Sequence, residues 1–214
     1  MRLLQLIIWF IIIFFQSKIY KKKKNFTFLN NKEKKIKKIQ NLILSSNYVV
    51  YLAGLVGDPI TKKYPKESKY HNLSYISQIL KLLKKNKDLR KFIFISTCSN
   101  YGLIKKNILA KESHKLKPLS LYAKQKVKIE NILLKSEYRK INPVILRFAT
   151  AFGLSPRMRF DLTVNQFTKS LFSKEKLEVY DPETWRPYCH VKDFCRLILI
   201  VIKSKNSKII GNVF

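Results

Sequence analysis

The chain has five glycines in 214 residues, at 54, 57, 102, 153 and 211, and none in its first 53 positions. That scarcity excludes a glycine-rich phosphate-binding turn at the front of the sequence, because such a turn needs glycine where the backbone must approach a phosphate. Cysteine is scarce too. Cys98, Cys189 and Cys195 are odd in number and lack CxxC spacing, so neither a disulfide framework nor a metal site is indicated and a reducing compartment is the simpler reading. Acidic residues number 13 against 44 Lys and Arg, for a net charge of +31. Such an excess suits nucleic acid or an anionic membrane. Only eight of those cations are Arg, however, and base-specific and bidentate phosphate contacts favour Arg. The lysines are spread among abundant Ile, Asn, Phe and Tyr, which reads as a biased genome, and nucleic-acid binding is not indicated. What is plentiful is apolar material. At 46% hydrophobic, the chain can bury the core of one sizeable domain, which argues against disorder.

The first 25 residues stand apart. LLQLIIWFIIIFF, residues 3–15, leads into QSKIYKKKKN. The run falls short of the roughly 20 apolar residues of a membrane-spanning helix, although it matches a signal-peptide core in length. No small-residue cleavage site follows, and Lys21 to Lys24 sit where a secreted chain would be cut. Three readings stay open: a membrane anchor with a cytoplasmic Lys cluster, a buried strand or helix, or a non-native start.

From residue 32 the pattern becomes regular. KEKKIKKIQNLIL (32–44) has helical spacing with a Lys-rich outer face, and YVVYLAG (48–54) is a buried strand ended by glycine. A helix follows over 73–87, a strand over 91–96, a helix over 121–138 and a strand over 143–148. This alternation predicts an α/β fold, a Rossmann-like doubly wound parallel sheet with helices on both faces. Beyond residue 155 the pattern loosens into a helix near 160–173, short strands near 177–180 and 186–191, a helix at 192–203 and a last strand at 209–214. The domain organisation reads as 1–25 (apolar and basic), 26–155 (cofactor and catalytic) and 156–214 (part of a substrate-binding region).

In such sheets ligands bind beyond the carboxyl ends of the strands. The residues there are Ala53 and Gly54, then Ser96 and Thr97, then Thr150, all small or hydroxylated. Ser and Thr also begin turns, so partners matter. The partner is SLYAKQK, 120–126, where Tyr122 and Lys126 lie one helical turn apart on a common face. Tyr20/Lys24, Tyr101/Lys105 and Tyr188/Lys192 share that spacing, yet only Tyr122 opens a convincing helix after a loop, downstream of a hydroxylated strand tip.

These residues resemble a family, the extended short-chain dehydrogenases/reductases that act on nucleotide sugars, the NAD-dependent epimerase/dehydratase group. The motifs are YLAG at 51–54, Asn72 opening a helix, STCSNYG at 96–102, Tyr122 with Lys126, LRFATAFG at 146–153 and WRPYCHVKD at 185–193. The resemblance implies a catalytic set of Thr97, Tyr122 and Lys126, and cofactor contacts from Ala53, Gly54, Asn72, Ser96, Tyr122 and Lys126. It implies NAD as cofactor, with NADP left open. On the substrate side it implies Thr150 beside the sugar and Arg186 on the nucleotide diphosphate, with Arg157 and Arg159 either further phosphate contacts or part of a solvated loop. His190 and Asp193 have supporting or structural roles, and Asp58 and Pro59 shape the loop beside the cofactor. Family members commonly dimerise through the helices matched by 73–87 and 121–138.

Departures narrow this. Family dehydratases carry an Asp-Glu pair where this chain has Cys98 and Ser99, and neither does that acid–base work at its ordinary pKa. Epimerisation or simple oxidation and reduction is left. The family's first βαβ unit with its GxxGxxG turn is missing or replaced. FTFLNNKEKKIKKI (26–39) matches the strand and helix that come after that unit in the family, and GNVF stops within a strand, so both ends look cut. Two classes of function remain: a cytoplasmic enzyme of nucleotide-activated sugars, or a non-enzymatic remnant, membrane-tethered in one version, that keeps the fold without tight cofactor binding.

Overall fold

The computed structural model describes residues 12–15, 26–28, 36–104, 108–155 and 158–214. Its principal sheet has five strands: β1 (Ile12–Phe15), β2 (Phe26–Phe28), β3 (Tyr48–Tyr51), β4 (Lys91–Thr97) and β5 (Pro143–Phe148), in the order β2-β1-β3-β4-β5. β3 and β4 are parallel, with Tyr48 opposite Lys91 and Tyr51 opposite Phe94. A parallel pair requires a crossover of about a dozen residues or more. The chain supplies it with α2 (Asp58–Lys63), α3 (Pro65–Lys69), a π-helical turn (Tyr70–Ser74) and α4 (Tyr75–Leu83). The fold is α/β and Rossmann-like.

The sheet is mixed, however, where the sequence pattern predicts an all-parallel one. β1 runs antiparallel to both neighbours, β2 and β3. Residues 16–25 are fewer than the dozen or so that a crossover needs, so β1 and β2 can pair only as antiparallel strands. The end of the apolar run 3–15 is therefore a sheet strand, one of the readings its composition allowed; residues 3–11 lie outside the described residues. Among the described residues no helix is long and apolar enough to cross a membrane.

The core lies between this sheet and three helices, α1 (Ile36–Ser45), α4 and α5 (Leu121–Leu133). On α4 the buried residues are Ile76, Ile79, Leu80 and Leu83, the i, i+3, i+4, i+7 stripe of a helix with one face in the core. Phe92, Phe94 and Tyr51 meet them from the strands, with Tyr51 6.2 Å from Phe92 and 6.3 Å from Phe94 between ring centroids.

Several boundaries differ from the sequence pattern. The helix expected over 121–138 stops at Leu133; a 3-10 turn over Ser136–Ile141 and a left-handed Asn142 (φ 50°) follow. Asn142 precedes Pro143, and a residue before proline is sterically driven out of the helical region. No strand forms at 177–180, where Lys174 and Asp181 at positive φ interrupt the chain on either side. The strand expected over 209–214 is instead helix α8 (Asn206–Ile209), after which the chain runs beside β5. There the Gly211 N–H donates to the Pro143 carbonyl at 2.7 Å and the Phe214 N–H to the Ile145 carbonyl at 2.9 Å.

Two compact units result. One comprises residues 1–147 and 204–214, the other Phe148–Lys203. The second unit holds β6 (Thr150–Phe152) paired parallel with β7 (Tyr188–His190), α6 (Thr163–Phe172) and α7 (Val191–Lys203). The Phe148 and Phe194 rings stack in it, 3.9 Å apart. Phe92 is fully buried in the first unit, so Phe92→Ala is expected to cost about 3–5 kcal/mol. Urea denaturation measures this, and a loss under about 1 kcal/mol would contradict the packing.

Candidate active site

Helix α5 starts where it does because the Ser120 hydroxyl accepts a hydrogen bond from the Ala123 N–H at 3.2 Å, the cap that serine favours. This puts Tyr122 in the first turn and Lys126 one turn later. The Lys126 Nζ lies 5.7 Å from the centroid of the Tyr122 ring and 4.6 Å from that of Phe94, and it donates to the Ile95 carbonyl at 2.7 Å. Lys126 is 8% exposed. Burial, opposed by the charge of Glu130, brings its ammonium down to about 8. Tyr122 is half-buried. β4, on which α5 packs, ends in Thr97, whose Oγ1 accepts from the Ser99 N–H at 3.2 Å and so caps the 3-10 turn Cys98–Tyr101. With that oxygen committed as acceptor, the Thr97 hydroxyl proton is available to a ligand.

Ser96 is placed differently. Its hydroxyl turns inward and donates to Glu130 Oε1, and the Asn100 Nδ2 donates to both Ser96 Oγ (3.0 Å) and Glu130 Oε1 (2.7 Å). Of the two tip hydroxyls, only that of Thr97 is left for a ligand. Asn72 is also committed to the protein. Its Oδ1 accepts from the Leu55 N–H (2.7 Å), and its Nδ2 donates to the Leu55 carbonyl (3.0 Å) and to Gln125 Oε1 (2.7 Å). It lies in a π-helical turn, not at a helix start, and it clamps the loop after β3 to α5. Gly54 in that loop has φ 139°, and a Cβ there would meet Asn72 Oδ1 at 2.5 Å. Glycine is required at this close approach. Ala53 is buried, and with Tyr51, Asn72, Phe94, Gln125 and Lys126 it lines a small cavity. Asp58 and Pro59 open α2 after Gly57, where proline suits the first helical turn.

In the second unit, β6 and β7 place Thr150 opposite Tyr188, and the Thr150 N–H donates to the Pro187 carbonyl at 3.0 Å. The exposed Arg186 directly precedes the Pro187 that Thr150 bonds. Arg159 forms a two-pronged pair with Asp161 at 2.6 and 2.8 Å, and Arg157 lies outside the described residues. Asp193 pairs with Arg196 on its own helix at 3.0 Å. The His190 ring packs edge-on against Phe152 and fills the space where a Cβ on Gly153 would sit.

A family model of the NAD dependent epimerase/dehydratase family matches residues 15–214. The chain belongs to this family. Similar solved structures include the UDP-glucuronic acid 4-epimerase of Bacillus cereus, in complex with UDP-glucuronic acid and NAD, at 28% identity and TM-score 0.70, covering 82% of this chain and 55% of that one. A UDP-N-acetylglucosamine 4-epimerase of Methanobrevibacter ruminantium, in complex with UDP-N-acetylmuramic acid, matches at 25% identity and TM-score 0.67, over 78% and 55%. A dTDP-glucose 4,6-dehydratase of Streptomyces venezuelae shares the fold at 19% identity and TM-score 0.70, over 83% and 54%. The chain thus spans about half the length of these structures.

In this member of the epimerase/dehydratase family the candidate site is bordered by residues that sequence reasoning passed over, chiefly Glu130, Arg147, Asn100 and Gln125. One signal could have found Glu130: it is the only acidic residue of α5, one turn beyond Lys126 on the same face. Lys126 is also the residue most open to a direct check. Its folded pKa lies below the usual lysine value near 10.4, so the folded chain binds fewer protons there than the unfolded one. Its contribution to stability therefore grows as pH rises from about 8 toward 10.4. NMR of 13Cε-labelled lysine, with the resonance assigned by Lys126→Arg, is expected to show Lys126 titrating near pH 8. A midpoint at 10 or above would contradict its burial.

Proposed function

We propose that the chain carries the catalytic centre of a nucleotide-sugar epimerase-type oxidoreductase, most like a nucleotide-hexose 4-epimerase, with NAD as cofactor and NADP as the alternative dinucleotide. The observation that carries this reading is Tyr122 beside a buried Lys126, on a helix packed against a parallel strand that ends in Thr97. A phenol titrates near 10 and is a weak base at neutral pH. The Lys126 ammonium favours the phenolate, which lets Tyr122 take the proton of a sugar hydroxyl, while Thr97 donates a hydrogen bond to the same oxygen. Lys126 spends one of its three donors on Ile95, which leaves two for a ribose hydroxyl of the dinucleotide. The donor set therefore fits the nicotinamide end of the cofactor. NAD, when bound, supplies a hydride acceptor at the sugar carbon. Thr150, Arg186 and Arg157 are assigned to the nucleotide sugar. A cytoplasmic location and a homodimer formed over α4 and α5 belong to the same reading. UDP-glucuronic acid is the first substrate to test, because a relative at 28% identity is a UDP-glucuronic acid 4-epimerase solved with that sugar and NAD.

A second reading, a family member that keeps the fold without tight cofactor binding, is favoured by one feature: no glycine precedes position 54, so no glycine-rich pyrophosphate turn stands before β3. With NAD and UDP-glucuronic acid, proton NMR is expected to follow growth of the C4 epimer. Tyr122→Phe is expected to lower the rate by about 10²–10⁴-fold while calorimetric affinity for the sugar nucleotide stays within about threefold, since the phenol adds little to ground-state binding. Equal turnover by Tyr122→Phe would refute the role of the phenol, and a wild-type chain that binds neither ligand would favour the second reading.

A further inference from the structure

Glu130 and Arg147 form an ion pair that is nearly sealed from water, their side chains 1% and 6% exposed. The Glu130 Oε2 accepts from Arg147 Nη2 at 2.7 Å and Nε at 3.1 Å. Oε1 accepts from the Ser96 hydroxyl, from Asn100 Nδ2 at 2.7 Å and from Arg147 Nε at 3.2 Å. Arg147 reaches further, to the Tyr101 hydroxyl and the Glu112 carbonyl, both at 3.1 Å, with its guanidinium 5.0 Å from the Tyr101 ring centroid. Burial alone would lower the guanidinium's pKa, but the bonds to Glu130 and Tyr101 outweigh it and the net shift is upward. One carboxylate thus joins the end of β4, the turn after it, helix α5 and strand β5.

We propose that this pair is a positioning device for the site: it fixes the strand tip that bears Thr97 against the helix that bears Tyr122 and Lys126. The proposal rests on the reading that those three residues act on substrate. Ser96 adjoins Thr97, Asn100 lies in the turn that Thr97 caps, and Glu130 is one and two turns beyond Lys126 and Tyr122. A buried ion pair stabilises a fold little better than apolar side chains of like volume, so stability alone does not call for one here. A two-pronged guanidinium contact is directional, whereas apolar surfaces can slide, and catalytic groups must hold position to about half an ångström. Lys126 is faced by Tyr122 and Glu130 from its own helix and by Tyr51 from β3, with Arg147 behind Glu130.

The test compares the wild type with the double variant Glu130→Leu/Arg147→Leu and with Ser96→Ala. Hydrogen–deuterium exchange followed by mass spectrometry is expected to show peptides spanning 96–104 exchanging at least about tenfold faster in the double variant and about threefold faster in Ser96→Ala. Peptides of β3 and α4 are expected to keep wild-type protection. Exchange at 96–104 equal to wild type, or raised uniformly over the sheet, would overturn the proposal. If the double variant fails to fold, Ser96→Ala decides by the same peptides. With UDP-glucuronic acid and NAD, kcat is expected to fall about 100-fold in the double variant with KM within about threefold. A wild type without turnover would refute the catalytic reading, and the exchange contrast would still decide the positioning.

Discussion

A single buried carboxylate joins helix α5 to the sheet of this protein at three points. Glu130 receives hydrogen bonds from Ser96, Asn100 and Arg147, which belong to a strand tip, the turn beyond it and the neighbouring strand. Without a guanidinium a buried carboxylate would be costly, and without the carboxylate so would the guanidinium, because an unpaired buried charge loses its hydration with nothing in exchange. Each therefore enforces the other, and the segments that carry them inherit that constraint. Helix α5 is held by polar as well as apolar contacts, since its buried face mixes Ala123, Gln125, Lys126 and Glu130 with Ile129 and Leu133.

The proposed chemistry depends on that placement. Lys126 lies in apolar surroundings beside Phe94 and the Tyr122 ring, and its ammonium is held near the point where it can lose its proton. Glu130, one turn away, opposes the effect of burial and keeps the cation. The same carboxylate thus bonds the strand tip and supports the charge of Lys126. Asn72 and Gln125 act on the other side of α5, tying the glycine loop after β3 to the helix.

Much of this is legible in the sequence. Thr97, Tyr122 and Lys126 stand out in the sequence because local signals coincide there: a buried β-branched run ending in hydroxyls, then a helix that opens after a loop with two chemical side chains on one face. The pairing direction of β1 cannot be read, because an apolar run without period gives no direction, and it is set instead by the short connection to β2. The difference between Ser96 and Thr97 also escapes composition. Successive strand residues point to opposite faces, so one hydroxyl meets Glu130 and its neighbour caps a turn, and knowing which requires the helix in place. The resemblance implies a cofactor contact for Asn72 at a helix start, whereas it lies in a π-helical turn with its amide bonded to the Leu55 backbone and to Gln125. At the C-terminus the apolar pattern of 209–214 yields an extended segment beside β5, but a single bridge, Ile145 to Val213, is too short a ladder for a full strand.

The chain spans about half the length of the solved relatives it matches in the epimerase/dehydratase family. The central claim is that a buried lysine, a phenol and an alcohol at the open end of β4 form the nicotinamide end of a dinucleotide site. Calorimetric titration of the folded chain with NAD tests it most directly. Saturable binding at one dinucleotide per chain, weakened at least about tenfold by Lys126→Met, is the predicted result. A flat titration of the wild type, or one that Lys126→Met leaves unchanged, would contradict it.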